Sequence, residues 1–186
     1  MSHIALVVEG HADAIAVPEL VRRYLAFRGH SGILVGRPLN TKSRGKLLKD
    51  GELERFAQLA AMEPGASALL VVFDADDDRA CELGPSTLGR INGLPVPTQV
   101  CIAIREYENW IMASAETVLD NAVPLDDPEG RGAAHAIKMA LRPRAYVKPR
   151  DQPALSRSID FELARRRCPS LDRFLKILDE MAEMIV

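Results

Sequence analysis

Carboxylate side chains directly follow two apolar runs of the sequence. The run at residues 68–73 is followed by Asp74, Ala75 and Asp76. An earlier run, at residues 4–8, is followed by Glu9. In an open α/β sheet, ligands bind at the carboxyl ends of the strands, and carboxylate oxygens are the ligands that hard cations prefer. The two junctions therefore predict a site for a divalent cation.

These acids can meet only if the two apolar runs are strands of one sheet. Neither run alternates with polar residues, a pattern typical of strands covered by helices on both faces. Strand and helix patterns alternate through the first part of the chain, which predicts a mostly parallel sheet with right-handed crossovers. The four predicted strands are residues 3–8, 32–35, 67–73 and 99–104.

Helical patterns separate these strands and continue after the last one. Within the alternating part, helices are predicted between residues 13 and 29, over residues 52–62, and from near residue 85. Beyond it they are predicted over residues 109–120, 132–141, 156–166 and 170–184. We therefore expect an α/β core at residues 1–120 and a basic helical extension at residues 121–186, packed on the same domain.

Glu9, Asp74 and Asp76 together could bind one Mg²⁺ or Mn²⁺ ion, with water and substrate phosphate completing an octahedral shell. Side chains alternate along a strand, so Asp74 and Asp76 are expected to point in the same direction. Asp78 either extends this row of ligands or only solvates the turn.

Asp13 is a further candidate ligand because it lies four residues after Glu9. If the following helix has begun by Gly10, the side chains of Asp13 and Glu9 lie near each other. If it has not, Asp13 serves only as a helix cap.

Other motifs fit the acidic turn less well. A calcium-binding loop that began at Asp74 would need Gly at its sixth position and Glu at its twelfth, where this chain has Arg79 and Pro85. A phosphatase-type site would use Asp74 as nucleophile, but such sites favour Gly after the second acid, and here Asp77 follows. Acids that merely cap a turn are common, but this interpretation does not explain Glu9 at a second strand end.

The formal net charge of −2 conceals an asymmetry along the chain. Residues 1–130 contain 12 Lys and Arg against 19 Asp and Glu, whereas residues 131–167 contain 10 against 3. Metal-binding acids followed by phosphate-binding bases would give this distribution, and so would a solvated basic helical face. Under the first interpretation, Arg144 and Arg150 are candidate nucleic-acid contacts. Arg37, Lys42 and Arg44, in the basic loop after the second strand, are further candidates, although a solvated loop would look the same.

Composition limits the class of protein. A chain of 186 residues, 47% of them apolar, is long enough for one globular domain with its own core. Its three cysteines lack CxxC spacing, which argues against a zinc knuckle. We expect neither a signal peptide nor a membrane span, and a cytoplasmic location. The apolar stripe of the last predicted helix could serve a homodimer or another partner as readily as the core.

Two sets of motifs resemble known families. Residues 7–13 (Val-Val-Glu-Gly-x-x-Asp) and 72–76 (Val-Phe-Asp-Ala-Asp) resemble the Toprim fold of topoisomerases, primases and overcoming-lysogenization-defect (OLD) nucleases. Residues 105–110 (Arg-Glu-Tyr-Glu-x-Trp) and 146–152 (Tyr-x-Lys-x-x-Asp-Gln), with Ile159-Asp160 downstream, are similar to domain-of-unknown-function family 4276 (DUF4276). This second resemblance extends over nearly the whole chain.

The Toprim resemblance implies roles for the acids at the two strand ends. Glu9 would act as general acid or base, while Asp74 and Asp76 would bind Mg²⁺, which stabilises charge on the phosphate. The three tyrosines fit helix or loop packing better than nucleophilic attack. Water is therefore the expected nucleophile, rather than a tyrosine as in topoisomerases.

Nuclease-type Toprim relatives often add a second metal ion and a lysine late in the chain. The resemblance suggests Lys148 for that catalytic role, with an ordinary surface lysine as the alternative interpretation. Glu106 and Glu108 follow another predicted strand and could bind a second metal or support its ligands. Acids in a first helical turn are also favoured by the helix dipole, so both interpretations stay open.

Two functional hypotheses result. The first is a Toprim-type nuclease that uses one or two Mg²⁺ or Mn²⁺ ions to hydrolyse phosphodiester bonds of DNA or RNA, as the nuclease partner of an ATPase in phage defence. The second is a non-catalytic module with a degenerate Toprim site, which binds nucleic acid or an ATPase. Acids held together at two strand ends favour the first, because they would repel one another without a cation.

Overall fold

The computed structural model describes residues 2–120 and 122–185, in which five parallel strands form one sheet. The strands are β1 (His3–Val8), β2 (Leu34–Val35), β3 (Leu39–Asn40), β4 (Ala66–Asp74) and β5 (Thr98–Ala103). Their spatial order is β2-β1-β4-β5, and β3 also pairs with β1, beyond β2 along the same edge. The predicted mostly parallel α/β fold is confirmed, with one strand more than predicted.

Ten helices lie in the described residues. Those that alternate with the strands are α1 (Asp13–Phe27), α2 (Arg44–Leu48), α3 (Glu52–Ala61) and α4 (Ala80–Arg90). Those after β5 are α5 (Glu108–Met112), α6 (Ala115–Val118), α7 (Ala133–Ala140), α8 (Lys148–Ser156), α9 (Phe161–Arg167) and α10 (Pro169–Ile185). Among these helices, none has the length and apolar character needed to cross a bilayer.

Two short elements lie in a segment that we predict to be a basic loop. Strand β3 is only two residues long, too short for any alternation to be recognised. Helix α2 has a conventional start, because the Ser43 hydroxyl accepts a hydrogen bond from the Lys46 amide at 3.2 Å. Both elements follow β1 at the edge of the sheet, and they bring basic residues toward the carboxyl end of that strand.

The helix predicted over residues 156–166 is wrong in its first half. Residues 157–160 are not helical and separate α8 from α9. Helix α9 begins only after Asp160, whose carboxylate accepts a hydrogen bond from the Leu163 amide at 2.9 Å. The helix predicted over residues 109–120 is likewise divided, into α5 and α6. The next residue, Asn121, lies outside the described residues.

Apolar side chains cover both faces of the sheet. Alternate residues of β1 and β4, such as Leu6 and Leu70, pack with α1 and α10 on one face. The intervening residues, such as Val7 and Val71, pack with α3 on the other. This arrangement explains why the strands contain almost no polar residues before their carboxyl ends.

The register of the sheet brings those carboxyl ends together. Val8 of β1 lies opposite Val72 of β4, and Asp74 of β4 lies opposite Ala103 of β5. Residues that follow β1, β4 and β5 therefore emerge at one edge, where the sequence predicts a site.

Candidate functional site

Glu9 and Asp74 are in direct contact at the carboxyl edge of the sheet. The backbone amide of Asp74 donates a hydrogen bond to Glu9 Oε2 at 3.2 Å. The Asp74 residue is only 6% exposed, because it is the last residue of the central strand β4. Parallel pairing of β1 with β4 thus places the two acids together, as their positions after two apolar runs predict.

Asp13 joins them from the first turn of α1. The chain turns helical immediately after β1, since the Ala14 amide already bonds to the Gly10 carbonyl at 3.1 Å. The Asp13 side chain is buried and does not cap its own helix. A Cβ atom on Gly10 would lie 2.6 Å from Asp13 Oδ2, so glycine is the residue that allows this close approach. Of the two interpretations of Asp13, the structure favours the one beside Glu9.

The fourth acid, Glu108, is contacted by residues from the basic extension. Glu108 is 1% exposed although it begins helix α5. The Tyr146 hydroxyl donates a hydrogen bond to Glu108 Oε1 at 2.8 Å, and Lys148 Nζ lies 3.3 Å from Oε2. The same helix as Lys148 supplies Gln152, whose Nε2 donates to Asp13 Oδ1 at 3.0 Å. Helix α8 therefore covers the acidic edge.

We call Glu9, Asp13, Asp74 and Glu108 the carboxylate cluster. Burial, followed by the charge of Asp13, raises the pKa of Glu9 to about 7. Burial also raises the pKa of Asp13, and it raises that of Asp74 well above its usual value, with the charge of Glu9 adding to the effect. These shifts show that the acids are packed too closely, and too far from water, to ionise together easily.

Lys148 is the basic side chain that most affects this cluster. Burial alone would lower the pKa of Lys148, but the charges of Glu108, Asp74 and Asp13 reverse this effect and hold the pKa above its usual value. One ammonium group thus faces several carboxylates. The Lys148 side chain is 40% exposed, so it is the set of surrounding carboxylates that distinguishes it from an ordinary surface lysine.

Asp76 and Asp78 lie in a different environment from Asp74. Strand β4 ends at Asp74, and Asp76 has a left-handed backbone with φ of 52°. The strand therefore ends two residues before Asp76, the alternation that would align Asp76 with Asp74 does not reach it, and the Asp76 side chain is 64% exposed. Its charge still raises the pKa of Glu9, after burial and the charge of Asp13. Arg44 forms ion pairs with both acids, with Asp76 Oδ2 at 3.8 Å from its Nε and with Asp78 through its Nη2.

Glu106 contacts another helix rather than the carboxylate cluster. Its Oε1 accepts a hydrogen bond from the Ala134 amide at 2.9 Å, in the first turn of α7. A carboxylate at that position satisfies an amide that has no partner within the helix. Of the two acids that follow β5, only Glu108 faces Lys148.

The predicted basic contacts fall into three groups. Arg37 and Lys42 are exposed near the start and end of β3. Arg44 lies at the site itself, where its Nε donates to the Asp74 carbonyl at 3.0 Å. Arg144 and Arg150 both donate to Asp151 Oδ1 at 2.8 Å, beside the segment that carries Lys148.

Tyr146 and Gln152 are site residues that the sequence does not single out by residue type or spacing alone. Both belong to the motif at residues 146–152 on which the DUF4276 resemblance rests, so that motif contained the signal. Their importance depends on contacts with Glu108 and Asp13, 38 and 139 residues away in sequence. Neither residue type suggests such a role until those partners are known.

The donor chemistry of the cluster fits a hard divalent cation. Glu9, Asp13 and Asp74 offer carboxylate oxygens, and their raised pKa values mean that the ionised forms are disfavoured until a positive charge, such as that of a cation, lies beside them. Asp76 could add an oxygen by turning inward from its exposed position. Among the described residues, no three His, Cys, Asp or Glu side chains are already arranged as a metal-binding group. Cation binding would therefore draw these carboxylates closer together.

A family model matches residues 8–179 of the chain, and it describes DUF4276, a domain of unknown function. No curated protein and no solved structure matches the chain. The matched range contains the entire carboxylate cluster together with Lys148. It also contains both motifs at residues 105–110 and 146–152.

Proposed function

The chain belongs to the DUF4276 family, and from the chemistry of its carboxylate cluster we propose that it is a Mg²⁺- or Mn²⁺-dependent nuclease of Toprim type. Its substrates are the phosphodiester bonds of DNA, with RNA as a second candidate. We further propose that it acts with an ATPase partner in phage defence, as the resemblance to OLD nucleases implies.

One observation carries this proposal, namely the excess of buried carboxylates over buried cations. Four acids lie around Lys148, and burial raises the pKa of three of them. Full ionisation of such an arrangement is unfavourable, and it is relieved either by protons on the acids or by a ligand that brings positive charge. Functional sites are where perturbed acids of this kind are concentrated, and a divalent ion is the ligand that oxygen donors select.

The residues of the cluster divide the proposed chemistry among them. Glu9, Asp74 and Asp13, with Asp76, would bind a divalent cation, which would stabilise negative charge on the phosphate and lower the pKa of attacking water. Glu9 would exchange a proton with the attacking or departing oxygen. Lys148 would place its ammonium group near the reacting phosphate, while Glu108 and Tyr146 hold that segment in position.

The first experiment is a calorimetric titration with Mn²⁺, which requires no knowledge of substrate or partner. Asp74→Asn is expected to weaken Mn²⁺ binding by at least about tenfold. Asparagine has nearly the same shape as aspartate but lacks its negative charge and one of its two oxygens. Asp50→Asn is the matched control, since Asp50 is fully exposed and pairs only at 3.9 Å with Arg90. Equal Mn²⁺ affinity in wild type and Asp74→Asn would contradict the proposed site.

Nuclease activity is then tested on single- and double-stranded DNA and on RNA with Mg²⁺ or Mn²⁺. Wild type is expected to cleave at least one of these substrates, whereas Asp74→Asn and Lys148→Met are expected to lose about a hundredfold or more in rate. Thermal unfolding of each variant shows whether the fold is retained. Undiminished cleavage by folded Asp74→Asn would overturn the assignment of these residues.

The non-catalytic module is the second candidate, and one observation favours it. The described acids are not already arranged as a metal-binding group, as a degenerate site would also show. Such a module would bind nucleic acid in a salt-sensitive way without any dependence on divalent metal. The Mn²⁺ titration separates the two candidates.

A further inference from the structure

Asp77 lies between two arginines that come from different parts of the chain. Its Oδ1 accepts a hydrogen bond from Arg105 Nη1 at 2.6 Å and a second one from Arg131 Nη2. Arg105 follows strand β5, whereas Arg131 precedes helix α7. The side chains of Asp77 and Arg131 are 67% and 73% exposed, so solvent and ligands can reach this ion pair. Two guanidinium groups therefore converge on a single carboxylate oxygen.

The backbone of Arg105 is in a conformation that glycine would adopt at lower cost. Its φ is 67°, in the left-handed region, which costs a residue with a Cβ atom about 1 kcal/mol or more. Asp76 is left-handed too, and the loops are joined by hydrogen bonds from Asp76 N to Arg105 O and from Arg105 Nη1 to Asp76 O. Arginine at this strained position places a guanidinium group against the acidic turn.

A cavity of about 200 Å³ opens at this ion pair. It is lined by Asp76, Asp77, Arg105, Glu106, Arg131 and Gly132. Two guanidinium groups line it together with three carboxylates. Asp77 accepts hydrogen bonds from both arginines, and Glu106 accepts one from the Ala134 amide at the start of helix α7. Its lining residues Asp76 and Glu106 are each two residues from a member of the carboxylate cluster, Asp74 and Glu108, so the cavity adjoins that cluster.

We propose that this cavity binds a phosphate group of the nucleic-acid strand, next to the phosphodiester that is cleaved at the carboxylate cluster, and that Asp77 takes the place of that phosphate in the free protein. This inference rests on the proposed nuclease function and names the contact that positions its substrate. A phosphodiester has two non-bridging oxygens, so Arg105 and Arg131 could each bond to a separate one. Asp77 gives them only one shared oxygen and lies on an exposed turn, from which it can rotate away.

The test measures binding of a short fluorescein-labelled single-stranded DNA, and of RNA of the same sequence, with Ca²⁺ in place of Mg²⁺ to prevent cleavage. Asp77→Asn is expected to tighten binding by about fivefold, because it removes the competing charge but keeps the shape of the side chain. Glu82→Gln is the matched control, because Glu82 is also exposed and paired with an arginine, Arg79. That variant changes the net charge equally but is expected to alter the affinity less than twofold.

Arginine variants test the opposite change. Arg105→Ala and Arg131→Ala are each expected to weaken binding by about tenfold and to reduce the salt dependence by about one phosphate contact. Arg79→Ala, which removes an exposed arginine outside the cavity, is expected to change affinity less than twofold. Arg131 is in an exposed loop, so its variant tests the inference even if the Arg105 variant misfolds.

Several outcomes would overturn the inference. These are equal effects of Asp77→Asn and Glu82→Gln, equal effects of Arg131→Ala and Arg79→Ala, or no binding of either nucleic acid by wild type and Asp77→Asn. The Mn²⁺ titration distinguishes this failure from failure of the proposed function. If wild type binds Mn²⁺ and cleaves nucleic acid, but Arg131→Ala does not change nucleic-acid affinity, only the phosphate site is rejected. If the arginine variants weaken nucleic-acid binding but no metal-dependent cleavage occurs, the nuclease function is rejected.

Discussion

At the scale of single residues, Gly10 determines how closely two acids approach. Gly10→Ala is expected to destabilise the protein by about 1–3 kcal/mol, because the added Cβ would lie 2.6 Å from Asp13 Oδ2 and must displace that carboxylate. The same displacement is expected to weaken Mn²⁺ binding. Urea unfolding and calorimetry measure the two effects.

Gly32→Ala is the control for this change. Nothing lies within 4 Å of a Cβ atom built on Gly32, and its φ is not in the left-handed region. Its free energy of unfolding should stay equal to that of wild type or rise slightly. An equally small effect of Gly10→Ala would show that Asp13 is free to move, contrary to its close packing against Gly10.

Asp151 provides a test of pH dependence outside the carboxylate cluster. Hydrogen bonds from Arg150, from the Val147 amide and from Arg144 hold the pKa of this buried carboxyl below its usual value of 3.8. A lowered pKa means that Asp151 stabilises the fold fully above its unfolded-state pKa and loses that contribution as the pH falls toward its folded-state pKa. Asp151→Asn is therefore expected to cost about 2 kcal/mol at neutral pH.

The measurement for Asp151 is urea unfolding of both proteins at several values from about pH 7 to about pH 3. The difference between wild type and Asp151→Asn should be constant down to about pH 5 and shrink below about pH 4. A difference that does not change with pH would mean that the charge on Asp151 contributes nothing beyond its hydrogen bonds.

Residue spacing predicted which acids lie at the same edge of the sheet, but it did not predict where each acid's side chain points. Glu9 and Asp74 are together because β1 and β4 are parallel neighbours, which their apolar runs indicate. Asp76 differs because the chain leaves the strand in a left-handed conformation, stabilised by hydrogen bonds to Arg105, 29 residues later. The residues around Asp76 in the sequence, 72–78, do not indicate that Arg105 will contact this turn.

At the scale of elements, α8 is held in place by Arg23 of α1. Arg23 donates to the carbonyls of Ser156 at 2.7 Å and Ile159 at 3.1 Å, at and just beyond the end of α8. Its guanidinium also lies 4.6 Å from the ring centre of Phe161. Arg23→Ala is expected to lower the free energy of unfolding by about 2 kcal/mol, because carbonyls at a helix end lose a charged donor.

Arg22→Ala is the matched control for Arg23. Arg22 is the preceding residue of the same helix, and its one hydrogen bond, to the Val35 carbonyl, is exposed and 3.4 Å long. Its removal is expected to change stability by less than about 0.5 kcal/mol, as measured by the same urea unfolding. Similar losses in both variants would indicate a general effect of charge on α1 rather than a specific contact with α8.

Helix α8 also shows why sequence patterns miss an element. It contains Pro149 and Pro153, and its buried residues include polar Asp151, Gln152 and Ser156. Apolar periodicity is the main sequence signal for a helix, and a helix that packs through polar side chains does not show it. By contrast, the strong apolar stripe of α10 allowed that helix to be predicted almost to its ends.

At the scale of the whole molecule, the C-terminal helices complete the core of the sheet. The Phe174 ring of α10 lies 4.8 Å from that of Trp110, whose Nε1 donates to Ser170 Oγ at 2.9 Å. Phe174→Ala is expected to lower the free energy of unfolding by about 3–5 kcal/mol, because it leaves a cavity between the sheet and the last helix. Tryptophan fluorescence and far-ultraviolet circular dichroism should both report this loss, in a single shared transition.

This experiment also tests our division of the chain at residue 120. If the extension packs as part of the same domain, the two signals coincide in wild type and in Phe174→Ala. Two separate transitions would mean that the extension unfolds independently of the α/β core. Lys176→Ala is the control, because that side chain lies on the exposed face of α10 and, among the described residues, forms an ion pair with Asp172 alone.

The global fold is the part that sequence patterns predicted best. Alternating strand and helix patterns are local, and the handedness of crossovers limits how they can be assembled. Residues 122–185 of the basic extension contain no strand that would fix its position in a sheet, so its contact with the acidic edge was not predictable in the same way. Lys148 was assigned through a family motif rather than through geometry, and α8 places it against Glu108.

The hydrogen bond from the Asp74 amide to Glu9 Oε2 gives the two carboxylate oxygens of Glu9 different roles. Oε2 accepts the hydrogen bond that joins the two strand ends, whereas Oε1 accepts none from the described residues and would be the oxygen more available to the proposed cation. In a Glu9→Gln variant, the side-chain amide oxygen could still accept the hydrogen bond from the Asp74 amide, while an NH₂ group would replace the oxygen that faces the proposed metal. Under the proposed function, the structural role of Glu9 and its role in proton transfer are therefore separable. A relative with glutamine at this position would keep the hydrogen bond at the sheet edge but lack the carboxylate that the proposed chemistry requires.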